Sequence, residues 1–158
     1  MSTESLVTLL DKQPFVQGFQ PHQVETLATL AKRVRFEPNQ VLFREGDECS
    51  EFYLILSGRV ALEIAPPGQT FRVDTLSSGD ELGWSSLLER GRQFQARALD
   101  TVEALVFEAA ALRAMCEADT SFGYVLMLRL LGVVAERLQV TRLQVLDTFW
   151  PVAKRAGA

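Results

Sequence analysis

Histidine and cysteine, the side chains that most often bind metals or act as catalytic bases and nucleophiles, are scarce in this chain. The sequence has one histidine, His22, in the first turn of an amphipathic stretch outside the predicted strands. A site with several histidine ligands cannot be assembled, and a serine–histidine or cysteine–histidine pair would have to use this residue. Cys49 and Cys116 are far apart in no metal-like spacing, so we expect two reduced thiols rather than a disulfide.

Acidic residues are grouped in one place, in and after a glycine turn: Glu45, Asp47, Glu48 and Glu51. Paired carboxylates can perform acid–base chemistry, but a run of charges in a turn is ordinarily a solvated surface. The sequence also lacks a phosphate-cradling loop of the P-loop type. We therefore expect that the protein is not an enzyme and that it holds no metal ion and no cofactor.

The elements that must position any functional side chain follow from hydrophobic periodicity. Residues 1–33 contain two short helical stretches, and residues 34–108 contain short alternating runs separated by glycine turns. Such runs are typical of a β-sandwich or barrel. Residues 109–150 return to helical spacing, with a long last helix that begins near Phe122 and that Pro151 is expected to end.

Length and charge narrow the classes of function further. A chain of 158 residues with 47% hydrophobic residues fits one domain, which we place at 1–158. The net charge of −4 disfavours a nucleic-acid partner or an anionic membrane surface, because both need a basic face. Residues 124–135 are too few to span a bilayer, and the N-terminus does not resemble a secretory signal, so we expect a cytoplasmic protein.

Several motifs occur in the order found in cyclic nucleotide-binding domains, and the chain resembles that family over nearly its whole length. The motifs are Phe43–Asp47, Phe52–Val60, Leu76–Asp80, Ala96–Leu99, Val102–Leu105 and Arg137–Thr141. The resemblance implies an α+β, mainly β fold: an eight-stranded β-roll or jelly-roll barrel with N-terminal helices and a long C-terminal helix. In bacterial regulators of the family a helix-turn-helix domain follows that helix. The sequence stops at Ala158, so we expect no DNA-binding domain here.

The phosphate-binding cassette of the family is altered in this chain. The family holds the ribose 2′-hydroxyl with a glutamate and the cyclic phosphate with an arginine that a serine or threonine follows. Trp84 stands at the glutamate position after Gly83, and Arg92 with Gln93 stands at the arginine position. Gly83-Trp84-Ser85 also resembles a Gly-Trp-Ser version of the cassette found in short bacterial members.

The chemistry of the altered cassette can be argued from its residue types. A cyclic phosphate is an anion, for which Arg92 supplies a guanidinium and the turn at Gly83 supplies backbone N–H donors. Trp84 offers one donor and no acceptor, and Ser85 or Ser86 would be a weak acceptor for a sugar hydroxyl. By the same resemblance, Thr141 on the last helix corresponds to a residue that reaches the base of the nucleotide.

Besides a barrel enzyme, which would need a bound metal ion, two functions stay open at this point. The first is a free-standing regulatory domain that senses a cyclic nucleotide or related small anion, weakly or with altered selectivity, and signals to an unknown protein partner. The alternative is a ligand-independent dimeric scaffold whose pocket is filled by Trp84. A homodimer is expected in both, since apolar residues recur at the spacing of a two-helix seam. These residues are Met127, Leu131, Val134, Leu138, Thr141 and Val145.

Overall fold

The computed structural model describes residues 2–48, 50–88, 90–92 and 94–156, with side chains described as far as residue 148. The chain divides into two compact units, Met1–Val125 and Leu126–Ala158. The first unit contains all of the strands and three of the helices that are described below. That the 158 residues form one domain stays a prediction.

Four α-helices flank the strands along the described chain: α1 (Thr3–Asp11), α2 (Pro21–Leu30), α3 (Ala109–Ala118) and α4 (Thr120–Ala156). The two N-terminal helices and α3 lie where apolar periodicity predicts them. A single residue, Asp119, separates α3 from α4, and its carboxylate accepts a hydrogen bond from the Phe122 N–H at 3.2 Å. Asp119 therefore acts as the N-cap of the long helix, as expected for an aspartate in this position.

Between these helices lie eight strands of the described chain: β1 (Lys32–Phe36), β2 (Val41–Phe43), β3 (Glu51–Ser57), β4 (Val60–Ile64), β5 (Phe71–Leu76), β6 (Glu81–Leu82), β7 (Gln95–Ala98) and β8 (Val102–Glu108). They form two antiparallel four-stranded sheets, in the orders β1-β8-β3-β6 and β2-β7-β4-β5. The predicted jelly-roll fold of the α+β, mainly β class is confirmed. The two sheets stay separate in the described residues, so the fold is a roll rather than a closed barrel.

The core of the roll lies between the inner faces of the two sheets. Its buried residues are Phe36, Phe43, Tyr53, Ile55, Val60, Leu62, Leu76, Leu82, Ala96, Ala98, Val102, Ala104 and Val106. The hairpin from β3 to β4 turns at Gly58, where φ is +86° and an added Cβ would lie 2.3 Å from the Thr101 carbonyl oxygen. Glycine is therefore the residue that allows these two strands to approach the β7–β8 turn.

The outer face of the first sheet carries a second apolar layer. Phe52 on β3 contacts Phe15 and Phe107, with ring centroids 5.5 and 6.3 Å apart, respectively. Phe19 in turn lies 4.9 Å from Phe122. Tyr53 points to the opposite face of β3, into the core of the roll. Burial on both faces explains why β3 is a continuous apolar run rather than an alternating one.

The last helix differs from the prediction at its C-terminal end. α4 runs to Ala156, whereas Pro151 was expected to end it near residue 150, so that prediction was wrong. Proline removes one backbone donor and restrains the turn before it, but it does not prevent the following residues from being helical. Those residues include Ala153, Lys154 and Arg155, which are strong helix formers.

Candidate functional site

Arg92, the arginine expected to hold an anion, is buried in the first unit, with 4% of its surface exposed. Its guanidinium carbon lies 4.1 Å from the centroid of the Phe43 ring and 5.8 Å from that of Tyr53. One terminal nitrogen, Nη2, donates a hydrogen bond to the Glu51 carbonyl oxygen at 2.7 Å. The guanidinium is thus fixed between an aromatic face and a strand carbonyl.

Two of the guanidinium nitrogens, Nε and Nη1, are buried without a hydrogen-bond partner in the described part of the chain. Buried polar groups almost always have a partner, and a charged group left without one is especially unfavourable. These N–H groups are therefore the feature of the site that most needs an explanation. The oxygens of a phosphate or a carboxylate are strong acceptors for a charged N–H group of this kind.

Backbone contacts with an earlier turn position Arg92. Its N–H donates to the Asp47 carbonyl at 3.2 Å, and its own carbonyl accepts from the Gly46 N–H at 3.0 Å. The turn is also stabilised internally, because the Asp47 carboxylate accepts a hydrogen bond from the Arg44 N–H at 2.9 Å. The family-like segment Phe43–Asp47 thus forms a support for Arg92.

Gly83 begins the cassette turn and lies directly against the guanidinium. Its φ is +87°, and an added Cβ would stand 2.6 Å from Arg92 Nη1 and 2.7 Å from the Glu51 carbonyl oxygen. Both the backbone conformation and the lack of space therefore require glycine. The turn continues as a short 3-10 helix, Trp84–Leu88, in which Trp84 is half-buried and Ser85 is buried.

Ser86 stabilises the same turn from inside. It is fully buried, and its backbone N–H and its hydroxyl both donate to the Gly83 carbonyl, at 3.0 and 2.6 Å. The Ser86 carbonyl accepts from Arg113 Nη1 at 2.7 Å, which connects the cassette turn to α3. The hydroxyl considered as a sugar acceptor is thus engaged with the backbone.

The remaining predicted site residues lie elsewhere or outside the description. Gln93 lies outside the described residues. Thr141 belongs to the second unit, where it is exposed and its hydroxyl donates to the Arg137 carbonyl at 2.9 Å. The structure therefore brings Gly83, Trp84, Ser85, Ser86 and Arg92 together, and it leaves the role of Thr141 a prediction.

On the second unit, the predicted seam is largely accessible. Leu131, Leu138 and Val145 are exposed by 64%, 60% and 50%. Thr141 is exposed as well, and Val134 is half-buried. This row of apolar side chains has the spacing expected of a helix that packs against another helix.

Arg97, an arginine of strand β7, binds a carboxylate. Its guanidinium donates to both oxygens of Glu63, with Nε–Oε1 at 2.9 Å and Nη2–Oε2 at 2.8 Å. The Glu63 side chain is 4% exposed, and the bidentate contact with Arg97 lowers the pKa of its carboxyl below the usual range. Arg97 is therefore part of the structure of the second sheet.

Glu51 also belongs to the site, although its position in the acidic run had indicated a solvated surface residue. Glu45, Asp47 and Glu48 are exposed, as expected of a solvated turn, but Glu51 begins β3 and is half-buried. Its carboxylate accepts the Tyr53 hydroxyl at 2.7 Å. Residues two apart in a strand share a face, and this spacing could have indicated the pair.

A cavity of about 590 Å³ adjoins the cassette loop. Its walls carry charges of both signs, from Asp47, Glu48, Glu51, Arg90 and Arg113. Within the described ranges, no three histidine, cysteine, aspartate or glutamate side chains are placed to hold a metal ion. In the same ranges, no helix has the length and hydropathy needed to cross a bilayer.

Comparisons with known proteins agree with the fold. The family model of the cyclic nucleotide-binding domain matches residues 33–119. An uncharacterized NTE family protein of Mycobacterium bovis is 34% identical over 76 residues, which are 48% of this chain and 12% of that protein. A CRP-like cAMP-activated global transcriptional regulator of Mycobacterium tuberculosis is 28% identical over 141 residues, which are 88% of this chain and 61% of the regulator.

The structural comparison covers most of both chains. The crystal structure of a proposed cyclic nucleotide-binding protein from Geobacter metallireducens aligns with a TM-score of 0.73 and 27% identity, over 87% of this chain and 98% of that one. This chain spans less than two thirds of the length of each of the two sequence relatives. The family model covers more than half of this chain. The chain belongs to the cyclic nucleotide-binding domain family, a family of regulatory ligand-binding domains.

Proposed function

We propose that this chain is a sensor domain that binds a cyclic nucleotide or a related small anion at Arg92 and passes the signal to a protein partner. The observation that carries the proposal is the pair of buried N–H groups, Nε and Nη1, that have no partner among the described residues. Such groups cost about 1–3 kcal/mol or more when they stay unsatisfied. An anion that accepts from one of these N–H groups removes part of this cost and gains a charge-assisted hydrogen bond.

The altered cassette supports weak or altered selectivity for the rest of the ligand. Trp84 provides no acceptor for a sugar hydroxyl, and the Ser86 hydroxyl donates to the Gly83 carbonyl from a fully buried position. A ribose 2′-hydroxyl would therefore lose the acceptor that the family usually supplies in this turn. Binding would depend mainly on the anionic group.

The proposed role is binding rather than catalysis, and the proposed partner is a protein. The single histidine, His22, has a side chain that is 71% exposed, on α2. The net charge of −4 gives the chain little attraction for nucleic acid or an anionic membrane.

Calorimetric titration with cAMP tests the proposed site. Arg92→Ala should weaken binding by about tenfold to a hundredfold, because it removes a charge-assisted contact worth ~1.5–3 kcal/mol. Arg72→Ala is the matched control, since Arg72 is an exposed arginine of β5. Circular dichroism verifies that each variant is folded, and Arg92→Lys, which keeps the charge without the planar fork, should have an intermediate affinity. Equal affinities for Arg92→Ala and Arg72→Ala would place the binding site elsewhere.

We further propose that the second unit joins two copies of the chain. The supporting observation is the exposed row that includes Leu131, Leu138 and Val145 on α4. Single exposed apolar residues are common, but a regularly spaced row is typical of a helix that has a partner. The same row is equally consistent with the alternative function, a ligand-independent dimeric scaffold. That alternative would gain support if the dimer formed while cAMP and other small anions failed to bind.

A further inference from the structure

Glu51 presents a fixed carboxylate beside the cassette. It is the first residue of β3, it is half-buried, and its Oε2 accepts the Tyr53 hydroxyl at 2.7 Å. Tyr53 is itself 3% exposed and belongs to the core of the roll, so its hydroxyl is a rigid support. Glu51 takes part in no ion pair among the described residues. A half-buried carboxylate with a fixed orientation and no cationic partner is a ready acceptor.

The same residue also holds the guanidinium of Arg92. The main-chain carbonyl of Glu51 accepts from Arg92 Nη2 at 2.7 Å, and the Tyr53 ring lies 5.8 Å from the guanidinium carbon. Arg92 nevertheless keeps two buried donors without a partner in the described chain. The Glu51 carboxylate therefore accepts no hydrogen bond from the Arg92 guanidinium. Glu51 and the cassette residue Gly91 line the same cavity of about 590 Å³.

We propose that Glu51 is a specificity-determining residue of this site. Its carboxylate accepts a hydrogen bond from a hydroxyl or amino group of a ligand whose anionic group is bound by Arg92. The ligand class is therefore a small anion that also carries a hydrogen-bond donor, and the 2′-hydroxyl of a cyclic nucleotide is such a donor. Glu51 supplies from strand β3 the acceptor that the cassette turn lacks at Trp84. The inference rests on the proposed function, since it needs an anion at Arg92.

The experiment compares cAMP with 2′-deoxy-cAMP by calorimetry on the full chain. The wild type should bind cAMP about tenfold more tightly, which is the effect expected of one hydrogen bond to a charged acceptor. Glu51→Ala should bind the two nucleotides within about twofold of each other, and Glu51→Gln, which keeps a neutral acceptor, should show an intermediate ratio. Glu48→Ala is the matched control, because it removes an exposed carboxylate from the same cavity and should keep the wild-type ratio.

The possible results separate this inference from the function on which it rests. If the wild type binds both nucleotides equally, or if Glu51→Ala keeps the full preference, Glu51 is not the acceptor, while anion binding at Arg92 stands. If the wild type binds neither nucleotide, both the inference and cyclic nucleotide sensing are contradicted. Glu51→Gln is close in size to the native residue, so it reports on the ratio even if Glu51→Ala fails to fold.

Discussion

Replacing Gly83 with alanine should damage both the fold and the anion site, and the cost can be estimated from the structure. A non-glycine residue at a φ of +87° costs about 1–2 kcal/mol. The added Cβ would also lie 2.6 Å from Arg92 Nη1 and 2.7 Å from the Glu51 carbonyl oxygen. The carbonyl belongs to strand β3 and cannot move freely, and overpacking of this kind costs a further ~1–3 kcal/mol.

Gly68→Ala is the matched control for that estimate. Gly68 has a φ of +83°, but nothing lies within 4 Å of its added Cβ. Its substitution should therefore cost only the conformational part, about 1–2 kcal/mol. The free energies of unfolding of both variants come from urea titrations followed by circular dichroism.

We expect Gly83→Ala to be less stable than Gly68→Ala by about 1–3 kcal/mol. We also expect the affinity for cAMP to fall at least tenfold in Gly83→Ala alone, because the guanidinium must leave its bond to the Glu51 carbonyl. Equal stabilities of the two variants would refute the close approach of Gly83 to Arg92. An unchanged affinity in a destabilised Gly83→Ala would show that Arg92 does not bind the ligand from this position.

Three further predictions concern affinity, assembly and acid stability. The wild type should bind cAMP no better than micromolar in calorimetry, because binding depends mainly on the anionic group; a nanomolar constant would contradict this expectation. Leu138→Glu should be a monomer by light scattering and should keep the β-roll by circular dichroism, whereas the control Gln139→Glu should stay dimeric. A monomeric wild type would contradict the proposed helix seam. The hydrogen bond that Ser121 donates helps to lower the pKa of the Asp119 carboxyl from its ordinary value of 3.8 to about 2. The ionised carboxylate should therefore stabilise the fold above pH 3.8, and this contribution should be lost as the pH falls towards 2. Urea titrations between pH 2 and 6 should therefore show a smaller loss for Asp119→Asn, and an unchanged pH profile would contradict this role.

The sequence predicted most of the roll because its strands and turns have local signals. β4 (Val60–Ile64) falls in the region of short alternating runs, and α3 begins at Ala109, where helical spacing was predicted to return. β6 was not predicted, because two residues, Glu81–Leu82, are too few to show a period. Pro151 was misleading because a residue preference is weaker than the helical tendency of the residues around it.

The site was predicted only in part, because its geometry depends on residues far apart in the chain. The resemblance indicated Arg92 and the cassette turn. It did not show that Arg92 lies against the Phe43 ring or that Nη2 is bound by the carbonyl of a residue 41 positions earlier. Glu51 was hidden in a run of acidic residues, and its bond to Tyr53 separates it from its exposed neighbours. The contacts of Arg92 join distant segments and have no local sequence pattern, whereas the spacing of Glu51 and Tyr53 in one strand could have indicated their bond.

The most direct test of the central claim follows the Arg92 side chain by NMR during a titration with cAMP. The Nε–H resonance of Arg92 is identified as the arginine signal that is absent from the spectrum of Arg92→Ala. We predict that this resonance shifts and saturates at the same cAMP concentration as the calorimetric titration, because the anion becomes the partner of a buried N–H that has none in the described chain. An Arg92 resonance that stays in place while cAMP saturates the protein would contradict the account.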